Sequence, residues 1–460
     1  SPAMTDLQAL PVDLVREAVL AALTASRPVA LTAPTGSGKS TQVPRWCAAA
    51  GWRTLVVEPR RVACRSLARY VSALEGGALG TRVGYAVRHD DRVGPETRIA
   101  FVTPGVALQI LRDAALGAWD AVILDEFHER RADVDLLLAL LLEDHPGPLL
   151  VMSATMDGGR IAAHLGGDSI TASGRLHAVD VTWQDDVLLP NSQGLEGRIQ
   201  RGVRTALEGT GDVLVFLPGK GEIADAADAL RPLHDIEVVV LHGDLPNADQ
   251  DRVFDPGSRR RVILATNVAE TSVTLPRIGA VVDSGLVRRS TWRNGMPALG
   301  LFPVATDSAE QRAGRAGRLG PGRCIRLWSR RGILEERTPP ELHREDLSDL
   351  HLLVSSLGRD LRRLRFLDRP RVHEVASARA RLQQLGALDD AGAITPRGLE
   401  MVRLPLSPWF ARAVVEEGDA QQDVVDLVAV ASQGRPLFLR SGGGDTHAPL
   451  IEQGITGLAM

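Results

Sequence analysis

The sequence predicts two tandem α/β domains, each on a parallel sheet, followed by a winged-helix-like domain and the start of a helical domain. The first observation is a series of short apolar runs alternating with helical stretches: "PVALTAP", "TLVVEP", "AVILDEF" and "PLLVMSAT". Uninterrupted apolar runs that end in polar residues, glycine or proline are what strands buried on both faces of a parallel sheet look like. The second observation is that the pattern starts again, with "HAVDVTW" opening the set "VLVFLPG", "EVVVLHG", "RVILATN", "AVVDSG" and "CIRLW". The third is that beyond about Thr338 the strands thin out and leucine-rich helical periodicity takes over, as in "EDLSDLHLLVSSLG" and "SARARLQQLGAL".

These patterns divide the chain into 1–172, 173–336, 337–408 and 409–460, with the first boundary near Ala172 to Gly174. In the third part, "LQQLGALDDAGAITPRGLEMVRLPL" reads as helix, turn, short hairpin and helix. In the fourth, "WFARAVVEEGDAQQDVVDLVAVASQG" is helical, and "SGGGDTHAPL" reads as a flexible segment. Ser1 to Ala3, ahead of Met4, read as an expression remnant.

With 460 residues, 44% of them apolar, the chain has enough material for several hydrophobic cores. No run of eighteen uncharged apolar residues and no signal-peptide layout is found, so a cytoplasmic protein without membrane contact is expected. Cys47, Cys64 and Cys324 stand far apart, without the spacing of a disulfide framework or a zinc site, and are expected to be buried. The net charge of −4 means that a nucleic-acid partner must be held by local basic strips. Of 53 basic residues only Lys39 and Lys220 are lysines. A compact ammonium on a flexible stem suits a narrow phosphate loop better than a planar guanidinium does.

Lys39 lies in "VALTAPTGSGKST", which is a strand, a glycine-bearing loop and a helix start. That context is the one a phosphate loop needs, although Ala33 stands where the common pattern begins with glycine. Thr35, Gly36, Ser37, Gly38, Lys39, Ser40 and Thr41 are therefore assigned to nucleotide binding, with Lys39 on the β- and γ-phosphates and the Ser40 hydroxyl toward Mg2+. "AVILDEFHER" ends an apolar run in two adjacent carboxylates. Asp125 and Glu126 are assigned with Ser40 to Mg2+, partly through water, and Glu126 also to taking the proton of an attacking water. "QRAGRAGR" spaces Arg312, Arg315 and Arg318 by three, which in a helix puts them roughly along one face, able to reach a γ-phosphate across a cleft.

With these three pieces in view, the sequence resembles the DEAH-box helicases of superfamily 2, most closely the bacterial HrpB-type branch. "APTGSGKS" resembles motif I, which in that family begins with alanine or glycine; "EPRR" resembles motif Ia, "TPG" Ib, "DEFH" II and "SAT" III. "FLPGKGEI", "ATNVAETSVTLP" and "QRAGRAGR" resemble motifs IV, V and VI, in the family's order. The resemblance implies two RecA-like domains, ATP and Mg2+ as ligands, and ATP hydrolysis stimulated by single-stranded RNA or a tailed RNA duplex, with DNA a further candidate. It also implies 3′-to-5′ movement by a monomer. Gln311 would orient the attacking water, Arg315 and Arg318 would contact the γ-phosphate, and Asp283 would face the nucleotide. His128 would couple motif II to motifs III and VI, and Ser153 and Thr155 would link hydrolysis to domain movement. Arg69 and Phe254 are the nearest matches to the residues that sandwich the base.

The nucleic-acid track implied by the resemblance runs over Arg60, Arg61, Arg88, Thr103 and Gly105 on the first sheet and Thr266, Asn267 and Thr271 on the second. Hydroxyls, amides and guanidinia suit phosphate and sugar contacts and carry little sequence information. "RNG", inside residues 287–302, predicts a tight hairpin turn on its own chemistry, and the family uses a hairpin there as a wedge. Phe127 replaces the alanine of "DEAH" and needs room among its neighbours. The family's longer C-terminal region, including a nucleic-acid-binding barrel, is largely missing from these 460 residues, so the last helical segment is expected to be truncated. An ATP-switched RNA-binding clamp with little strand separation is the alternative reading. A P-loop transporter subunit or AAA+ machine would show other signatures in place of motifs V and VI.

Overall fold

The computed structural model describes residues 10–154, 158–173, 177–243, 245, 247–254, 257, 259–270, 275–293, 296–416, 424–426 and 428. The first sheet contains β1 (Val29–Thr32), β2 (Thr54–Val57), β3 (Val83–Val87), β4 (Asp90–Asp91), β5 (Ile99–Val102), β6 (Ala121–Leu124), β7 (Leu149–Ser153) and β8 (Asp168–Thr171). Their order is β4-β3-β5-β2-β6-β7-β1-β8, and every pair is parallel except β3 with β4. The four predicted apolar runs form β1, β2, β6 and β7, and the valines, leucines and isoleucines in them are buried. The order sets β1, β7 and β6 side by side, so the chain leaves all three strands at one end of the sheet.

Four strands of this sheet fall outside the predicted runs. In β3 the run is broken by Gly84, where a Cβ would lie 2.1 Å from the Arg92 carbonyl oxygen. β8 has the polar sequence Asp-Ser-Ile-Thr and lies half-exposed at the sheet edge. β4 is two residues long, and β5 is a four-residue run between Arg98 and Thr103.

The second sheet contains β9 (Val179–Trp183), β10 (Asp212–Phe216), β11 (Glu237–Leu241), β12 (Arg261–Ala265) and β13 (Ile278–Asp283). After a two-stranded antiparallel hairpin, β14 (Leu286–Arg293) and β15 (Met296–Pro303), β16 (Gly322–Arg326) returns to it. The order β11-β12-β10-β13-β16-β9 is parallel throughout, with apolar clusters on both faces. The hairpin joins at the predicted place; its Asn294-Gly295 turn lies outside the described residues. One charged knot holds the base of this sheet. Asp212, fully buried at the start of β10, accepts from the backbone N–H and Nε of Arg261 on β12, each at 3.0 Å, and from Arg277 at 3.0 Å.

The chain packs as two compact units, Ser1–Arg344 and Glu345–Met460. Residues up to Arg344 stay with the sheets because Glu341 is tied to the first of them: its N–H donates to the Arg130 carbonyl and its carboxylate accepts from the Ala132 N–H. In the second unit, the helices Ser348–Ser356, Val372–Gln384, Pro396–Met401 and Pro408–Glu416 enclose a core of Leu352, Leu382, Leu388 and Met401. The predicted wing is reduced to one antiparallel bridge, Leu388 to Ile394.

All three cysteines are buried free thiols, and burial pushes Cys47 and Cys324 up to about 12. Among the described residues no helix is long and apolar enough to cross a membrane.

Removing one partner of a buried ion pair strands the other charge, so Asp212→Ala is expected to lower the unfolding free energy by about 3–5 kcal/mol. Arg277→Ala, at a side chain 41% exposed, removes a screened contact and is expected to cost about 1 kcal/mol or less. Urea denaturation followed by circular dichroism checks both.

Candidate functional site

The loop after β1 is shaped by two left-handed glycines. Ala33 continues the ladder by donating to the Ser153 carbonyl at 3.0 Å, and its side chain is fully buried. Gly36 and Gly38 then take φ +84° and +89°, which a side chain would strain. At Gly38 a Cβ would also lie 2.6 Å from Leu10 Cδ1. The helix Lys39–Ala49 starts directly after Gly38, so its free N–H groups open toward the loop. Thr35 and Ser37 are buried, and Ser37 Oγ has no hydrogen-bond partner. Thr41 Oγ donates to the Gly38 carbonyl at 3.1 Å and so braces the turn. Lys39 is 3% exposed, with Nζ 3.3 Å from Glu126 Oε1.

Asp125 and Glu126 follow β6, two strands from the loop. Asp125 is fully buried; Oδ1 accepts the Glu126 N–H at 2.8 Å, and the carboxylate is hydrogen-bonded to Ser40. Its Oδ2 is buried without a partner. A hydroxyl beside a carboxylate with one unused buried oxygen is a donor set that fits a hard divalent cation. Burial and the Glu126 charge push Asp125 up to about 6. Burial would raise Glu126 as well, but nearby positive charges, Lys39 first and Arg315 among them, outweigh it and hold Glu126 down to about 2.

Glu126 has φ 52°, a left-handed conformation that costs a non-glycine residue on the order of 1–3 kcal/mol unless its surroundings hold it. They do so here: Lys39 takes Oε1, and His128 Nε2 lies 3.2 Å from Oε2. His128 Nδ1 accepts the Ala154 N–H at 3.3 Å, which leaves the ring proton on Nε2, facing Glu126. His128 thus links the carboxylate to the segment after β7; Thr155 itself lies outside the described residues. Phe127 finds its room in the core, 1% exposed, with the Arg130 guanidinium 5.6 Å from its ring centre.

The three arginines of "QRAGRAGR" have different surroundings. The α-helix Thr306–Gly314 passes into a 3-10 turn at Arg315–Gly317, which keeps residues three apart close to one face. Arg312 is buried beneath Phe216 and bonds Glu270 and Asp283, each at 2.9 Å. Arg315 is 3% exposed, donates to the Glu270 carbonyl at 2.9 Å, and lowers Glu126 by its charge. Arg318 points at the loop: its Nε lies 3.3 Å from where a Gly36 Cβ would be. Burial pushes Arg318 down to about 10, against the pull of Glu126. Gln311 is buried on the same helix. Asp283 is fully buried, with Oδ1 taken by Arg312 and the Gly285 N–H.

The residues assigned to nucleic acid occupy turns and helix starts. Arg60 caps the helix Arg61–Leu74, pairs with Glu129 at 2.9 Å and donates to the Asn267 carbonyl on the second sheet. Arg61 and Arg88 are exposed. Thr103 caps Pro104–Arg112, and Gly105 in its first turn has open space around it. Thr266 starts the 3-10 turn Asn267–Ala269; Thr271 lies outside the described residues. Of the pair assigned to the base, Arg69 is exposed on the helix Arg61–Leu74, and Phe254 packs half-buried on the second sheet's core. Sequence reading missed Glu129 and Glu270, the anions that hold Arg60 and Arg312. Glu270 is the single carboxylate in "ATNVAETSVTLP", which could have marked it, whereas Glu129 follows two other carboxylates in "AVILDEFHER" and does not stand out.

A DEAD/DEAH box helicase family model matches residues 14–163, the helicase conserved C-terminal domain matches 198–320, and the winged-helix helicase associated domain matches 378–406. The ATP-dependent RNA helicase HrpA of Escherichia coli (strain K12) is 35% identical over 480 residues, which cover 97% of this chain and 37% of that protein. The crystal structure of the Escherichia coli DEAH/RHA helicase HrpB matches at TM-score 0.86 and 33% identity, over 98% of this chain and 60% of that one. A second, the E. coli DExH-box NTPase HrpB, matches at TM-score 0.81 and 33% identity, over 99% and 59%. The chain therefore spans 37% of the curated relative and about three-fifths of the solved ones. Because the matches run in one order through both sheets and on into the winged helix, this chain belongs to the DEAH-box helicases, in their HrpB-type branch.

Proposed function

We propose that this chain is an RNA-stimulated ATPase that moves 3′-to-5′ along single-stranded RNA in the cytoplasm and separates tailed duplexes. The observation that carries the reading is a buried cluster with contributions from both sheets. Lys39 and Glu126 pair at 3.3 Å, and Arg315 acts on Glu126 from the other sheet while Arg318 faces the phosphate loop. Phosphoryl transfer asks a protein mainly for positioning and for charge on the transferring group, and both are present in this cluster.

The residues divide the work. The N–H groups after Gly36 and the Lys39 ammonium bind the phosphates of ATP, and an incoming phosphate competes with Glu126 for Lys39. Ser40 and Asp125 would hold Mg2+, which when bound would supply positive charge to the phosphates. Glu126, released from Lys39 but kept in place by His128, accepts the proton of the attacking water. Arg315 and Arg318 neutralise charge on the γ-phosphate as it is transferred, so hydrolysis requires the two sheets to close. RNA laid over Arg60, Thr103, Thr266 and Asn267 contacts both sheets through sugar and phosphate, which favours closure without selecting a sequence. The base pair of contacts from Arg69 and Phe254 would stack any purine or pyrimidine, which predicts tolerance among nucleoside triphosphates.

Glu126→Gln is expected to keep ATP affinity and to lower turnover by about 10²–10⁴-fold, the usual worth of a general base. Arg315→Ala is expected to lower RNA-stimulated turnover by about 10³-fold or more. Steady-state phosphate release with and without single-stranded RNA, single-stranded DNA and no polymer, beside nucleotide binding, checks both. Undiminished release in Glu126→Gln would remove that residue from its role. Displacement from a 3′-tailed but not a 5′-tailed duplex is expected; stimulated hydrolysis without displacement would support an ATP-switched clamp instead.

A further inference from the structure

We infer that Glu270 is a positioning residue for hydrolysis: its carboxylate fixes the helix that carries the arginines, and its carbonyl aims Arg315. This rests on the ATPase reading above. Glu270 follows the 3-10 turn Asn267–Ala269. Its side chain accepts from Ser308 Oγ at 2.6 Å and from Arg312 Nε at 2.9 Å, and its backbone carbonyl accepts from Arg315 Nε at 2.9 Å. Ser308, Arg312 and Arg315 are spaced by four and three, one stripe of a helix. One residue thus grips the stripe over about two turns.

The arrangement is more than a support for the fold. Arg312 already has a second buried anion in Asp283, at 2.9 Å, so the helix keeps an anchor to the sheet without Glu270. What the Glu270 side chain adds is a tie from Ser308 and Arg312 to the segment whose carbonyl holds Arg315, and Arg315 in turn acts on Glu126 by its charge. The same short segment meets the first sheet at its other end, where Arg60 donates to the Asn267 carbonyl. A shift of Glu270 therefore moves the reach of Arg315 toward Glu126 and leaves the phosphate loop untouched.

Misplacing a catalytic group by about 1 Å can cost about 10²-fold, so Glu270→Ala is expected to lower RNA-stimulated kcat by about 10- to 100-fold. KM for ATP should stay within about threefold, because the phosphate loop is unchanged. Glu270→Gln keeps an acceptor for Ser308 and the backbone carbonyl while giving up the charge on Arg312, and should regain part of the loss. Wild-type kcat in Glu270→Ala, or a change confined to KM, overturns the inference. Hydrogen exchange across residues 306–318, measured without nucleotide, should be faster in Glu270→Ala than in the wild type. If the wild-type chain hydrolyses no ATP, the proposed function fails by itself, and the exchange then decides the positioning: unchanged exchange overturns it, and faster exchange upholds it. If Glu270→Ala does not fold, Glu270→Gln carries both measurements, with an intermediate loss of kcat expected and wild-type kcat overturning the inference.

Discussion

A lysine and a glutamate buried together at 3.3 Å, one from the loop after β1 and the other from the turn after β6, set the terms for the rest of the site. Burying two charges is tolerable only when each has a partner and the remaining lone pairs are satisfied. The pair therefore requires a tight glycine loop on one side and a left-handed glutamate on the other, and it draws His128 and Arg315 toward the same carboxylate. A ligand that carries negative charge and competes for Lys39 would disturb every one of those contacts at once. That makes the cluster a detector for phosphate as much as a place to cut it.

The second sheet solves the matching problem of presenting arginines in a buried cleft. An unpaired guanidinium inside protein is costly, and the three arginines meet the cost in different ways. Arg312 has two carboxylates and an aromatic face. Arg315 has a carbonyl, and Arg318 faces the loop. The first is locked by ion pairs within its own sheet, and the charge of Glu126, on the first sheet, acts on the other two. The electrostatics of the cleft thus couple the two sheets before any polymer is considered.

Much of this was legible in the sequence because backbone demands and charge leave strong marks. Gly36 and Gly38 are written where only glycine fits, and Asp125 and Glu126 end an apolar run that had to be a buried strand. The runs of β1, β2, β6 and β7 were read because both faces of those strands are covered. Polar β8 gave no such signal, since an edge position relaxes the requirement for apolar residues, and in buried β3 Gly84 broke the run. The partners of the arginines were invisible for a different reason. Glu270 lies 42 residues from Arg312 and Asp283 lies 29, so the contacts are tertiary and no local spacing announces them.

The switch from α-helix to 3-10 turn at Arg315 acts as a gear on a regular repeat. Three residues along an α-helix fall about 60° short of a full rotation. Three residues along a 3-10 helix complete a turn and advance about 6 Å. The same three-residue step is therefore read at two ratios. The step from Arg312 to Arg315 offsets the side chain by about 60° while both stay on Glu270, and the step to Arg318 carries the next one forward in line. A sequence that repeats itself thus delivers one cation to hold the helix and two to meet the opposing sheet. Gly317, at the far end of the turn, lets the helix close against the strand beside it, because a Cβ there would lie 2.6 Å from the His177 carbonyl oxygen.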